Sequence, residues 1–170
     1  LLLANPDLSD LITEAIGDGW ITDLTQLRNL VPLAEDAAFT AGFCQAKRAA
    51  KVRFADWLRA SSGQVVDPNS IFDCQIKRIH EYKRQLLNVL HIIVLYNQLR
   101  HDPHLEVPPR TFFFAGKAAP AYHLAKLIIK LINDVAAIID ADPAVRGRLK
   151  VLFLPEYNVS LAERLIPASD

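Results

Sequence analysis

The stretch Ile71-Phe72-Asp73-Cys74-Gln75-Ile76-Lys77-Arg78-Ile79-His80-Glu81-Tyr82-Lys83-Arg84-Gln85 changes from apolar to strongly basic along its length. Its first part favours a short strand, and four cations then follow within eight residues. A helical pattern comes next, and we expect that helix to run from His80 to about Leu99. Because a helix N-terminus carries free N–H groups and a partial positive charge, a strand, a basic turn and a helix in this order favour binding of a phosphate.

The helix expected after the basic turn carries Leu86, Leu87, Leu90, Val94 and Leu95. Their spacing predicts a broad apolar face on one side of the helix. A face of this width is typical of a helix that packs on the core of a globular domain.

Two further strand–helix pairs follow. Residues 111–115 are a short, continuous apolar run, which suits a strand that is covered on both faces, and Leu149–Leu154 is expected to form a third strand. We expect one helix to begin near Pro120 and another to begin near Ser160, because helical spacing follows each turn. Strand and helix alternating three times predicts an α/β fold: a three-layer parallel sheet with Rossmann-like βαβαβ crossovers.

Residues 1–65 show helical rather than alternating spacing. Asp23 or Thr22 is suited to cap a short helix, Pro32 interrupts the pattern, and helical spacing resumes over about residues 33–60. Turn-forming residues at 61–63 and 67–69 separate this helical part from the alternating strands and helices that follow. We therefore expect a helical segment over residues 1–65 and a partial Rossmann-like α/β domain over residues 66–170.

The composition argues against nucleic acid or a membrane as the partner. Nineteen Lys and Arg residues balance nineteen Asp and Glu residues, so no net charge attracts a polyanion. No apolar run approaches the roughly 20 residues that a membrane-crossing helix needs. Cys44 and Cys74 form no metal-binding pattern, and we expect free thiols and no metal site. The absence of methionine, including at position 1, suggests a fragment of a longer protein.

Residues that follow the three strands meet at one edge of a parallel sheet, where ligands bind in such folds. The first strand leads to Lys77, Arg78 and Lys83, the second to Lys117, and the third to Tyr157. Two of the three strand ends are cationic, which suits an anion and most simply a phosphate. If Lys77 and Arg78 are extended, their side chains point to opposite sides and serve two neighbouring anions better than one.

Several motifs resemble the signature of the glycogen and maltodextrin phosphorylases, the α-1,4-glucan phosphorylases. They are KRIHEYKRQ at residues 77–85, GKAAP at 116–120 and YNVSLAERLIP at 157–167, with GWITDL at 19–24 and AEDAAF at 34–39 upstream. The motifs follow in the family's order along essentially the whole chain, and their residues are most similar to those of a bacterial member.

This resemblance implies a glycosyltransferase of carbohydrate metabolism. Such enzymes cut the terminal glucose from glycogen or maltodextrin with inorganic phosphate and release glucose 1-phosphate with retention of configuration. They use pyridoxal 5'-phosphate, whose phosphate group exchanges a proton with the substrate phosphate. The chain would be the first part of the C-terminal Rossmann-like domain of a GT-B type enzyme, and the whole protein would be a cytoplasmic homodimer.

By position, the resemblance gives each candidate residue a role. It assigns Lys77 to the cofactor phosphate, and it assigns Arg78 and Lys83 to the substrate phosphate. Tyr82 would contact the glucosyl unit, and Tyr157 would line the cofactor pocket.

The chain departs from the family pattern at two positions and in its extent. Ala121 stands where the family commonly has Gly, and Asn158 stands where some members have Arg. The family's Schiff-base lysine belongs to a glycine-rich segment beyond residue 170, and most sugar contacts belong to an N-terminal domain. We therefore expect the isolated chain to bind pyridoxal phosphate weakly and to lack phosphorylase activity.

Two other interpretations stay open on the residues alone. The chain could be a stand-alone anion-binding or interaction module with a degenerate site, or the basic stretch could bind nucleic acid. Zero net charge and the lack of interleaved surface aromatics beyond Tyr82 argue against nucleic acid. Phosphorolysis by the full-length parent would separate an enzyme from a stand-alone module.

Overall fold

A computed structural model describes residues 2–170. The chain divides into two compact units. One comprises the described residues up to Gln64 together with Glu163–Ala168, and the other comprises Val65–Ala162 together with Ser169–Asp170.

The first unit is built from helices. Helix α1 spans Pro6–Ile16, 3₁₀ turns cover Gly19–Ile21 and Leu24–Glu35, and helix α2 spans Ala37–Ser62. The helical spacing predicted from about residue 33 is therefore α-helical only from Ala37. Pro32, which has no N–H to donate, lies inside the 3₁₀ segment.

Two local signals place the ends of α2. The carboxylate of Asp36 accepts a hydrogen bond from the N–H of Phe39 at 2.8 Å, which caps the first turn. Gly63 adopts the left-handed conformation and donates its N–H to the carbonyl of Arg59, which ends the helix.

The second unit contains a three-stranded parallel sheet in the order β1-β2-β3, which confirms the predicted α/β class. The strands are β1 (Ile71–Ile76), β2 (Arg110–Ala115) and β3 (Leu149–Leu154). Their last residues, Ile76, Ala115 and Leu154, are in register, so the three carboxyl ends lie at one edge. The central strand is buried on both faces, as its continuous apolar run predicts.

Helices α3 (Gln85–His101), α4 (His123–Ala141) and α5 (Val159–Ala168) follow the three strands. Two predicted starts are wrong. Helix α3 begins at Gln85 rather than at His80, because Glu81–Lys83 form a 3₁₀ turn and Arg84 then takes a left-handed conformation with φ of 61°. Helix α4 begins at His123 rather than near Pro120, because residues 119–122 close a turn in which Tyr122 donates its N–H to Ala119.

The apolar face predicted for α3 is also mostly wrong. Leu86, Leu87, Leu90 and Val94 are exposed, and only Leu95 of that set packs against the core. Val89, Ile92 and Leu99 pack instead against β2, β3 and α4. Helix α3 carries apolar residues on almost every side, so periodicity alone does not select the stripe that meets the sheet.

Among residues 2–170, no helix is both long enough and apolar enough to cross a membrane.

Candidate functional site

The segment between β1 and α3, residues 77–84, is called the basic loop below. Its first part continues the ladder of β1 along the exit of β2. Lys77 donates its N–H to Ala115 at 3.0 Å, and Ile79 donates its N–H to Lys117 at 3.2 Å. Ile79 is buried in the core cluster with residues of α3 and α4. The loop is therefore anchored on the sheet before it turns.

The first two cations lie just beyond the end of β1. Gln75 of β1 contacts Asn88 of α3, and Ile79 is buried among residues of α3 and α4. Lys77 and Arg78 lie between Gln75 and Ile79, where the chain bends after Ile76, and both are exposed. Both side chains are therefore accessible to anions.

Gly116 permits a close approach between the exits of β1 and β2. A Cβ atom built on Gly116 would lie 1.9 Å from the carbonyl oxygen of Lys77, far inside van der Waals contact. Only glycine leaves room for this crossing, which brings Gly116 and Lys117 against the start of the basic loop.

Two glutamine side chains hold the rest of the basic loop. Gln85 is 0% exposed, donates to the carbonyl of Arg78 at 3.1 Å and accepts from the N–H of His80 at 3.3 Å. Gln75 donates to the carbonyl of Lys83 at 3.0 Å and accepts from the side-chain amide of Asn88 at 3.1 Å. Sequence reasoning missed both residues, because no local pattern distinguishes a loop-holding glutamine from a solvated one.

The cations of the basic loop are not neutralised. Within residues 2–170, no carboxylate forms an ion pair with Lys77, Arg78 or Lys83. Lys83 is partly buried, and its ammonium group lies 5.6 Å from the ring centroid of Tyr82. Three uncompensated cations at the carboxyl edge of a parallel sheet are suited to bind phosphate groups.

The contribution expected from the helix N-terminus changes with the observed start of α3. The free N–H groups of α3 begin at Gln85 and follow the cations, instead of lying among them. Arg84, whose left-handed backbone precedes the helix, is exposed. The charge of the loop therefore comes from its side chains, with the helix end beside them.

Aromatic and acidic groups line the turn of the basic loop. The ring of His80 lies 4.3 Å from that of Tyr82 and 4.9 Å from that of Tyr122, measured between centroids. The Tyr122 hydroxyl donates to the carboxylate of Glu81 at 2.5 Å. That hydrogen bond raises the pKa of Tyr122 above its ordinary value, and desolvation adds to the effect.

The third strand exit contributes Tyr157 and Asn158. Glu156 takes a left-handed conformation with φ of 52°, and Tyr157 is partly buried. Asn158 accepts a hydrogen bond from the N–H of Leu161 at 3.0 Å, so it caps the first turn of α5. Asn158 therefore has a helix-capping role.

The structure brings four of the five sequence-predicted site residues together in the basic loop: Lys77, Arg78, Tyr82 and Lys83. Tyr157 follows β3, at the same edge of the sheet but across the central strand. Two strand spacings separate β1 from β3, or about 10 Å.

The chain is similar to known proteins along its whole length. A family model described as carbohydrate phosphorylase matches residues 1–170. The chain is 52% identical to a glycogen phosphorylase of Synechocystis and 52% identical to the brain form of glycogen phosphorylase of Bos taurus. It is 50% identical to the muscle form of Oryctolagus cuniculus. Each match covers 100% of this chain but 20% of the relative, so the chain spans about one fifth of their length.

The family model and these relatives match along the whole chain, so the matched range includes the strands, the basic loop and the three strand exits. The chain therefore belongs to the carbohydrate phosphorylase family.

Proposed function

We propose that this chain is the phosphate-holding part of an α-1,4-glucan phosphorylase, which uses inorganic phosphate to release glucose 1-phosphate from glycogen or maltodextrin with retention. The observation that carries the proposal is the basic loop, which is anchored to the carboxyl edge of a parallel sheet and presents Lys77, Arg78 and Lys83 without an ion-pair partner among residues 2–170. The similarity to glycogen phosphorylases over the whole chain supports it.

The accessible cations of the basic loop suit a division of labour between two phosphates. Lys77 would contact a cofactor phosphate. Arg78 would hold the substrate phosphate together with Lys83. Arg78 offers a planar fork of donors to the phosphate oxygens, and Lys83 offers a compact positive charge.

The donor set fits the phosphate group of pyridoxal 5'-phosphate. The ammonium group of Lys77 suits that phosphate, and the partly buried ring of Tyr157 suits the wall of a pocket for a flat heteroaromatic ring. When bound, the cofactor would supply a phosphate group that exchanges a proton with the substrate phosphate. The task of Lys77 is then to hold this group and to balance its negative charge.

The other residues of the site act on the substrates. Arg78 and Lys83 would orient inorganic phosphate and offset its charge, which lowers the cost of bringing two phosphates close together. Tyr82 is 70% exposed and offers its hydroxyl group to the glucosyl unit. The substrates would be an α-1,4-glucan and inorganic phosphate, and the whole enzyme would be a cytoplasmic homodimer.

A segment exchange tests the proposal. The 170 residues of this chain would replace the matching segment of the Synechocystis glycogen phosphorylase, a segment that is 52% identical and makes up 20% of that enzyme. We expect the exchanged enzyme to form glucose 1-phosphate from maltodextrin and inorganic phosphate. We expect the isolated chain to form none.

The control is the unmodified Synechocystis enzyme, purified and assayed in parallel. A folded exchanged enzyme that fills with pyridoxal phosphate but forms no glucose 1-phosphate would contradict the proposal and favour a stand-alone anion-binding module.

A further inference from the structure

We infer that Gln85 and Gln75 are positioning residues for the substrate phosphate, since they hold the backbone of Arg78 and Lys83 through side-chain amides. The inference rests on the proposed function, because it concerns the same phosphate site. Gln85 is the last residue of the motif at residues 77–85, but neither that motif nor the comparisons assign a role to Gln85 or Gln75.

The side-chain amide of Gln85 can form its two hydrogen bonds to the loop in only one orientation. The Arg78 carbonyl can only accept a hydrogen bond and the His80 N–H can only donate one, so the amide nitrogen and oxygen of Gln85 have unambiguous places. The side chain is 0% exposed, so water does not compete for these bonds. The amide spans Ile79 and fixes the backbone directly after the Arg78 side chain.

Gln75 acts on the other end of the basic loop. It projects from β1, donates to the Lys83 carbonyl, and is itself held by the side-chain amide of Asn88 in α3. Gln75 of β1 therefore holds the end of the basic loop, and Asn88 of α3 holds the side chain of Gln75. The next residue, Arg84, is left-handed, so the backbone turns sharply immediately after this anchor.

The two glutamines hold the backbone of only some of the cationic residues in the basic loop. They bind the carbonyl groups of Arg78 and Lys83, the residues proposed to hold the substrate phosphate. Lys77, which is proposed to hold the cofactor phosphate, is placed by the ladder to Ala115 and not by either glutamine. Loss of an anchor should therefore weaken the use of phosphate more than the binding of cofactor.

The kinetic test uses the exchanged Synechocystis enzyme with Gln85→Met or Gln75→Met, which keep the side-chain length but remove the amide. We expect the KM for inorganic phosphate to rise about tenfold or more, because small displacements of positioning groups have large kinetic effects. We expect the KM for maltodextrin and the pyridoxal phosphate content to change less than about twofold.

Two controls lie in the same helix. Gln98→Met replaces an exposed glutamine of α3, and Val89→Ala removes buried volume from α3 without removing a hydrogen bond of the basic loop. Gln98→Met should change nothing, and Val89→Ala should lower the melting temperature while leaving the KM for phosphate unchanged. If Gln85→Met and Gln75→Met behave like Val89→Ala, the glutamines serve only stability and the inference is wrong.

A second measurement does not depend on activity. In the isolated chain, we expect Gln85→Met to speed amide hydrogen exchange at His80 by about tenfold or more, because its N–H loses its acceptor. The amide of Ile79, bonded to Lys117, should change much less. Unchanged exchange at His80 would overturn the inference, whereas an inactive exchanged enzyme with faster exchange at His80 would count only against the proposed function.

Discussion

Gly116 lies directly against the carbonyl group of Lys77, although 39 positions separate the two residues. A Cβ atom at Gly116 would come within 1.9 Å of that carbonyl oxygen, and the atom it would strike belongs to the backbone. The path of the basic loop over the end of β2 therefore depends on the absence of a side chain at this position.

Gly116→Ala should displace the start of the basic loop. Overpacking of this kind costs roughly 1–3 kcal/mol, and we expect a fall of that size in the free energy of unfolding measured with urea. Gly19→Ala is the matched control, because its Cβ would meet only the end of the Gln26 side chain, which is free to move. Equal stability of the two variants would show that the contact with Lys77 has no consequence.

Arg78→Met in the exchanged enzyme should lower kcat/KM for inorganic phosphate by roughly 10- to 100-fold, because a hydrogen bond to a charged group is worth about 1.5–3 kcal/mol. Arg84→Met removes a neighbouring cation that we do not place in the site, and it should leave that constant within about twofold. Similar losses in both variants, measured by initial rates over a phosphate series, would mean that general positive charge rather than Arg78 binds the substrate.

The hydrogen bond between Tyr122 and Glu81 should be detectable in a spectroscopic pH titration of the tyrosine. The hydrogen bond to the carboxylate is the main reason that the pKa of Tyr122 is raised, since ionisation of the phenol would break the bond. A raised pKa in the folded state stabilises the fold below the ordinary tyrosine pKa of about 10. That contribution is lost as the pH rises through the folded pKa.

Glu81→Gln should therefore lower the pKa of Tyr122 toward the ordinary value. The ultraviolet absorbance of the phenolate measures this pKa, with a Tyr122→Phe variant as the reference. Glu106→Gln, at an exposed position, is the control. A titration curve that is the same with Glu81 and with Gln at this position would contradict the role of the carboxylate.

The two sides of α3 should respond differently to substitution. Leu87 is 58% exposed, and Leu87→Gln should change the free energy of unfolding by less than about 0.5 kcal/mol. Ile92 is 0% exposed, and Ile92→Ala should lower it by about 2–5 kcal/mol through loss of burial and creation of a cavity. Urea unfolding of the isolated chain measures both values. A larger loss of stability in Leu87→Gln than in Ile92→Ala would instead support the helix face that periodicity predicts.

The strands and the composition of the site followed from local sequence. β3 has the predicted bounds, β1 lies in the apolar first part of the stretch that begins at Ile71, and β2 begins only one residue earlier than predicted, at Arg110. Short apolar runs between turn residues leave little choice of structure. The cations of the basic loop were likewise visible as residues that leave a strand.

The helix starts and the helix face were less predictable. The pattern of apolar residues in α3 fits more than one stripe, and no residue before Gln85 signals that Arg84 would be left-handed. The same limit applies to α4, whose start depends on the turn that ends at Tyr122. These features follow from how the chain leaves the sheet edge.

The sequence by itself determined the alternation of strand and helix and the chemistry of the basic loop, because both depend on residue types close together in the chain. Tertiary structure alone decided the approach of Gly116 to Lys77, the anchoring of Arg78 by Gln85 and the stripe of α3 that is buried. These relationships require a carbonyl, an amide or a sheet surface to be brought into position by folding. Hydrogen bonding and close packing act only at that short range.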